Sequence, residues 1–91
     1  MQNDNRQSPD HELLPSLNLT LEVDGLQVIG RCYRVAGRVP RHEIILEAVG
    51  QRAIVDVGDA STHELAHQVS VAAKSFALGL LAQRVGLGSL I

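Results

Sequence analysis

The sequence predicts an α+β domain: a four-stranded antiparallel meander followed by one long C-terminal helix packed on the sheet (ββββα). Three observations carry this. Leu17, Leu19, Leu21 and Val23 alternate with Asn18, Thr20, Glu22 and Asp24, the period-two pattern of a half-buried strand. Three more strand-like runs follow, divided by Asp24-Gly25, by the loop from Ala36 to Arg41 and by Gly50-Gln51; their glycines and proline interrupt a ladder. After Gly58 the period changes, and Leu65, Val69, Ala72, Ala73, Phe76 and Leu80 recur at the three- and four-residue spacing of a helix stripe.

Residues 1–16 are rich in Asn, Gln, Asp and Ser, with Pro9 and Pro15. They read as a mobile arm preceding a single domain over 17–91. The first strand runs from Leu17 to Asp24. Asp24-Gly25 then closes a tight hairpin, because glycine accepts the positive φ such a turn requires. The second strand is Leu26 to Val35. Leu26, Val28 and Cys32 share its inner face, Gly30 marks a bulge or bend, and Gln27, Ile29, Arg31, Tyr33 and Val35 share the outer face. Pro40 cannot donate to a ladder, so Ala36 to Arg41 is a loop.

The third strand spans His42 to Val49, with Ile44, Leu46 and Ala48 inward and Glu43, Ile45, Glu47 and Val49 outward. Arg52 to Val57 is the fourth, with Ala53, Val55 and Val57 inward. Ser61-Thr62-His63-Glu64 reads as a capping box, in which the Ser61 hydroxyl and the Glu64 carboxylate each accept a backbone N–H of the other residue. The helix is expected to reach Val85, with Gly86 as a left-handed stop.

This helix is too apolar for one sheet to cover. Val71, Leu78, Leu81 and Val85 lie well round from the inner stripe, and Ala66, Ala73, Ala77 and Gly79 would let a second helix approach closely. Self-association as a homodimer through those four residues is the expectation, with the apolar outer sheet face (Ile29, Tyr33, Val35, Ile45, Val49) as the other surface available.

Composition narrows the function classes. The chain has 91 residues, 45% of them apolar, so it can build one core of modest size. Tyr33 and Phe76 are its only aromatics, which disfavours functions that stack bases or sugars. Cys32 is the single cysteine, so no intrachain disulfide forms, as expected of a reducing compartment. The polar N-terminus shows no signal-peptide pattern, and the apolar stretch Val69 to Leu81 is short for a bilayer span and contains Lys74. A cytoplasmic, non-membrane protein is expected. The net charge of −2 supplies no general attraction to polyanions.

His63-Glu64-Leu65-Ala66-His67 matches HExxH. In these five residues the chain resembles the zincin metalloproteases, and the resemblance implies His63 and His67 as zinc ligands with Glu64 as general base. The rest of the sequence points away from that chemistry. No Asp or Glu follows Glu64 and no His follows His67, so a third ligand would have to come from upstream, from His42, Glu43, Asp56 or Asp59. Glu64 moreover already has a capping role. No metal, cofactor or catalytic residue is therefore expected.

Arg31, Arg34, Arg38 and Arg41 form a basic run with no acid among them, half of the chain's eight Lys and Arg. Arginine forks suit carboxylates and phosphates alike. The run is the expected partner-binding surface of a non-enzymatic interaction module of the adaptor or inhibitor type, its partner an unidentified protein. The alternative is a nucleic-acid-binding dimer using residues 31–42, a layout similar to that of some small single-strand-binding transcriptional cofactors. A zinc-dependent hydrolase is the third reading.

Overall fold

The computed structural model describes residues 11–39 and 41–90, with side chains as far as Gln83. The elements are β1 (His11–Leu13), a 3-10 turn (Pro15–Leu17), β2 (Leu19–Val23), β3 (Leu26–Val35), β4 (Arg41–Ala48), β5 (Gln51–Gly58) and α1 (Thr62–Leu90). All five strands form one antiparallel sheet, on which α1 packs. The fold is α+β with the ββββα layout, plus one short strand at its start.

That extra strand comes from the segment that reads as an arm. β1 pairs with the far half of β3 (Leu13 opposite Tyr33) and β2 with its near half (Leu21 opposite Val28), so the two lie end to end along one edge of β3. Between them the Leu14 N–H donates to the Cys32 carbonyl at 2.9 Å, and the 3-10 turn buries Leu17 in the core. Leu17 thus faces inward as its periodicity predicts, although the ladder of β2 begins only at Leu19.

Two hairpins are set by two-residue turns with positive φ at both positions: Asp24 (50°) with Gly25 (80°), and Val49 (45°) with Gly50 (79°). The second turn is therefore Val49-Gly50, one residue earlier than the sequence places it, and Ala48 pairs with Gln51 across it. A valine at positive φ is uncommon, because the branched Cβ crowds the backbone there. The right-handed twist of the flanking strands favours this turn type and imposes the conformation.

The core lies between the sheet and α1. Leu26, Val28 and Cys32 from β3, Ile44, Leu46 and Ala48 from β4, and Leu65, Val69, Ala73 and Ala77 from α1 form its buried centre. Leu19, Leu21, Val23, Ala53, Val55 and Val57 surround it. Gly30 makes no bulge: it stays in register between Leu19 and Leu46. It is glycine because α1 comes close, a Cβ there falling 3.2 Å from Val69 Cγ1. The irregularity lies instead between His42 and Glu43, which face Gly58 and Asp56 and leave Val57 as an extra residue. The helix continues past Gly86 to Leu90. A glycine ends a helix only where the chain turns left-handed; otherwise it costs about 1 kcal/mol and the helix runs on.

Candidate functional site

At the N-terminus of α1 the capping box is formed. The Ser61 N–H donates to Glu64 Oε1 at 3.0 Å, the Glu64 N–H to Ser61 Oγ at 3.2 Å, and the Leu65 N–H to the Ser61 carbonyl at 2.8 Å. Glu64 therefore satisfies an orphan helix-terminal donor. His63 and His67 are exposed on the following turn and line, with Asp59, Ala60 and Val57, an open depression of about 780 Å³. Of the upstream groups that could complete a zinc site, Asp59 shares the depression with both histidines, and the other three are turned to other tasks. His42 is buried, and its Nδ1–H donates to the Gly58 carbonyl at 2.9 Å; since a carbonyl only accepts, Nδ1 must carry the proton. Asp56 accepts the Gly58 N–H at 3.0 Å, and Glu43 stands on the opposite sheet face, 3.6 Å from both His11 Nε2 and an Arg41 guanidinium nitrogen. Among the described residues no three His, Cys, Asp or Glu side chains gather as metal ligands would.

The basic run does not form one surface. Strand alternation sends Arg31 and Arg41 to the outer face of the sheet and Arg34 to the helix side, while Arg38 stands in the exposed β3–β4 loop. Arg31 donates to Glu47 at 2.9 Å, Arg34 pairs with Glu12 at 3.5 Å, and Arg41 bridges Glu43 and Asp56 at 3.6 and 3.7 Å. Any phosphate would have to displace those carboxylates. Around them the outer face buries Tyr33, Val35 and Ile45 without any help from the helix, so it is less open than its sequence implies.

The surplus of α1 is exposed. Leu65, Val69, Ala73 and Ala77 turn to the sheet, whereas Leu78 is 60% exposed and Val71 44%. Leu81 is partly buried against the core, and the side chain of Val85 lies outside the described residues. Beside Val71, between α1 and β5, runs an apolar groove of about 430 Å³ lined chiefly by Ala53, Val55, Ala72 and Phe76. By length and composition Thr62–Gln83 could cross a membrane, a span longer than Val69 to Leu81; here its buried stripe is the lid of the sheet core.

One exposed apolar residue escapes the sequence reading. Ile54, at the middle of β5 and on its outer face, is 50% exposed, flanked on that face by Arg52 and Asp56. The same alternation that puts Ala53, Val55 and Val57 inward would have pointed it out. Cys32 is fully buried, and burial pushes its thiol above the ordinary range, so it is core and not a nucleophile. Comparison of the chain with protein-family models, curated proteins and solved structures finds no match.

Proposed function

We propose that this chain is a non-enzymatic protein–protein interaction module that works as a homodimer. The observation that carries the reading is exposed apolar surface on two separate sides: Val71 and Leu78 on the outward face of α1, and Ile54 on the outer face of β5. A helix covering a sheet ordinarily keeps its outward face polar. An exposed apolar pair there, Val71 and Leu78 seven residues apart on one face with Leu81 beside them, suits a second polypeptide. Two such sides support two contacts, one with a second copy and one with a partner protein.

Light scattering tests the self-association directly. The expected mass is about twice the 9.8 kDa of one chain and falls toward one chain on dilution. A single-chain mass at every concentration would end the homodimer reading. For the helix face, Leu78→Glu should abolish a contact that the wild type makes, whether with its own copy or with a captured protein. If Leu78→Glu changes neither the mass nor the captured set, that face is not a contact face.

A further inference from the structure

Any sheet edge offers unpaired N–H and C=O groups to another chain, and folded proteins usually blunt such edges. The two edges here differ. One is divided between β1 and β2, with the Leu14–Asn18 segment interrupting it. The other is β5, eight residues long, bonded among the described residues only to β4. β5 contains no proline and no lysine, and its one irregularity is confined to Val57 near the end. Among the described residues, Gln51 to Asp56 is a regular, open edge.

Its outer face reads Arg52, Ile54, Asp56: a base, an exposed apolar residue and an acid at alternate positions. Antiparallel pairing of this strand with its own copy about Ile54 sets Ile54 against Ile54, Arg52 against Asp56, and Asp56 against Arg52. On the helix side the same register sets Ala53 against Val55, joining the apolar floors of the two grooves beside α1. Other registers lose this. Centring the axis on Val55 puts Ile54 opposite Asp56 and Arg52 opposite Gly58; centring it on Ala53 puts Arg52 opposite Ile54. Cross-strand pairs of opposite charge stabilise a ladder, and like charges opposite one another destabilise it.

The charges already present lead to this edge. Arg31, Glu47 and Arg52 alternate in sign across β3, β4 and β5, with contacts of 2.9 and 3.4 Å, and the row ends at the edge on a cation. A second set, Glu43, Arg41 and Asp56, ends there on an anion. A two-fold axis through Ile54 joins the cationic end of one row to the anionic end of the other in both directions.

We infer that β5 is the seam of the homodimer, pairing antiparallel with β5 of a second copy about a two-fold axis at Ile54 to make one continuous sheet with both helices on the same side. This rests on the self-association proposed above and locates it. It leaves Leu78 of each copy free for the partner protein, while Val71 lines the groove that adjoins the seam.

Charge exchange tests it. Arg52→Asp sets two aspartates opposite each other twice per dimer, and Asp56→Arg does the same with two arginines. Each should weaken the dimer about tenfold by sedimentation or dilution light scattering. The double variant R52D/D56R recreates opposite charges across the seam and should return the dimer Kd to within about threefold of wild type. It restores neither Arg52–Glu47 nor Asp56–Arg41 within the chain, so its thermal stability should stay lowered. A role confined to those internal pairs would give no recovery of affinity. In parallel, Ile54→Cys should yield a covalent dimer under mild oxidation, while buried Cys32 does not react. If the wild type is a dimer whose affinity ignores all three charge variants, or which Leu78→Glu splits while Ile54→Cys fails to cross-link, the seam is not β5 and only this inference falls. If the wild type is a monomer throughout, the homodimer reading falls with it.

Discussion

Replacing Gly30 by alanine tests how α1 sits on the sheet. Gly30 lies in the middle of β3, facing the helix, and an added Cβ would stand 3.2 Å from Val69 Cγ1 and 3.4 Å from Leu46 Cδ2. Carbon atoms prefer separations of about 3.5–4.0 Å, so the new methyl must push something aside. Neither neighbour has room, since Val69 is 1% exposed and Leu46 2%. Val69 is also held to essentially one rotamer by its place in a helix. Overpacking of this kind costs about 1–3 kcal/mol. Against it stands a gain of about 0.5–1 kcal/mol, because alanine has less backbone freedom to lose than glycine. The expected net loss is about 1–2 kcal/mol, which at a urea slope near 1 kcal/mol/M for a chain this small lowers the unfolding midpoint by about 1–2 M. The measurement is urea unfolding at one fixed protein concentration, because dimerisation would shift the midpoint by mass action. In a Val69→Ala background the nearest obstacle is gone, and Gly30→Ala should become neutral or stabilising. Were Gly30→Ala harmless in the wild type, or equally costly in both backgrounds, Val69 would not be what holds position 30 to glycine.

Two further predictions use backbone strain and the buried thiol. Val49, 65% exposed at φ 45°, loses little contact and relieves a β-branched residue at positive φ when changed to asparagine; Val49→Asn should stabilise by about 1 kcal/mol and raise Tm by about 4–8 °C, and an unchanged or lower Tm would contradict the strain. Cys32 has its folded-state pKa raised by burial. Its contribution is thus fully present below the unfolded thiol's pKa of about 8.5 and is lost as pH rises toward the folded value. Unfolding free energy measured across alkaline pH should decline along a slope that Cys32→Ala flattens. Native Cys32 should also resist thiol reagents that label it once unfolded, and rapid labelling of the native protein would overturn its place in the core.

Most of the fold was legible along the chain because local rules agree with the tertiary result. Period-two alternation in 19–23 and 52–57 tells inner from outer residues, since one face of each strand meets the core and the other does not. Asp24-Gly25 and the Ser61–Glu64 box are short-range devices whose chemistry is complete within four residues. Where local signals are weak, neighbours in the fold decide instead. Three residues of β1 carry no pattern of their own, and become a strand because the far half of β3 offers an open edge. Gly30 resembles a bulge in sequence, and only the helix passing overhead gives it its reason.

The candidate sites divide along the same line. HExxH, the arginine run and the apolar surplus of α1 are all visible as strings of residues, and the sequence by itself determined that Glu64 caps the helix and that Val71 and Leu78 exceed what the sheet can bury. Tertiary structure decided that the arginines separate, since alternate strand residues face opposite ways and carboxylates from β1, β4 and β5 reach three of them. It also decided that β5 ends the sheet among the described residues, which places Arg52, Ile54 and Asp56 along an edge. A sequence states which side chains share a face; which edge is left open depends on how every strand finds its neighbour.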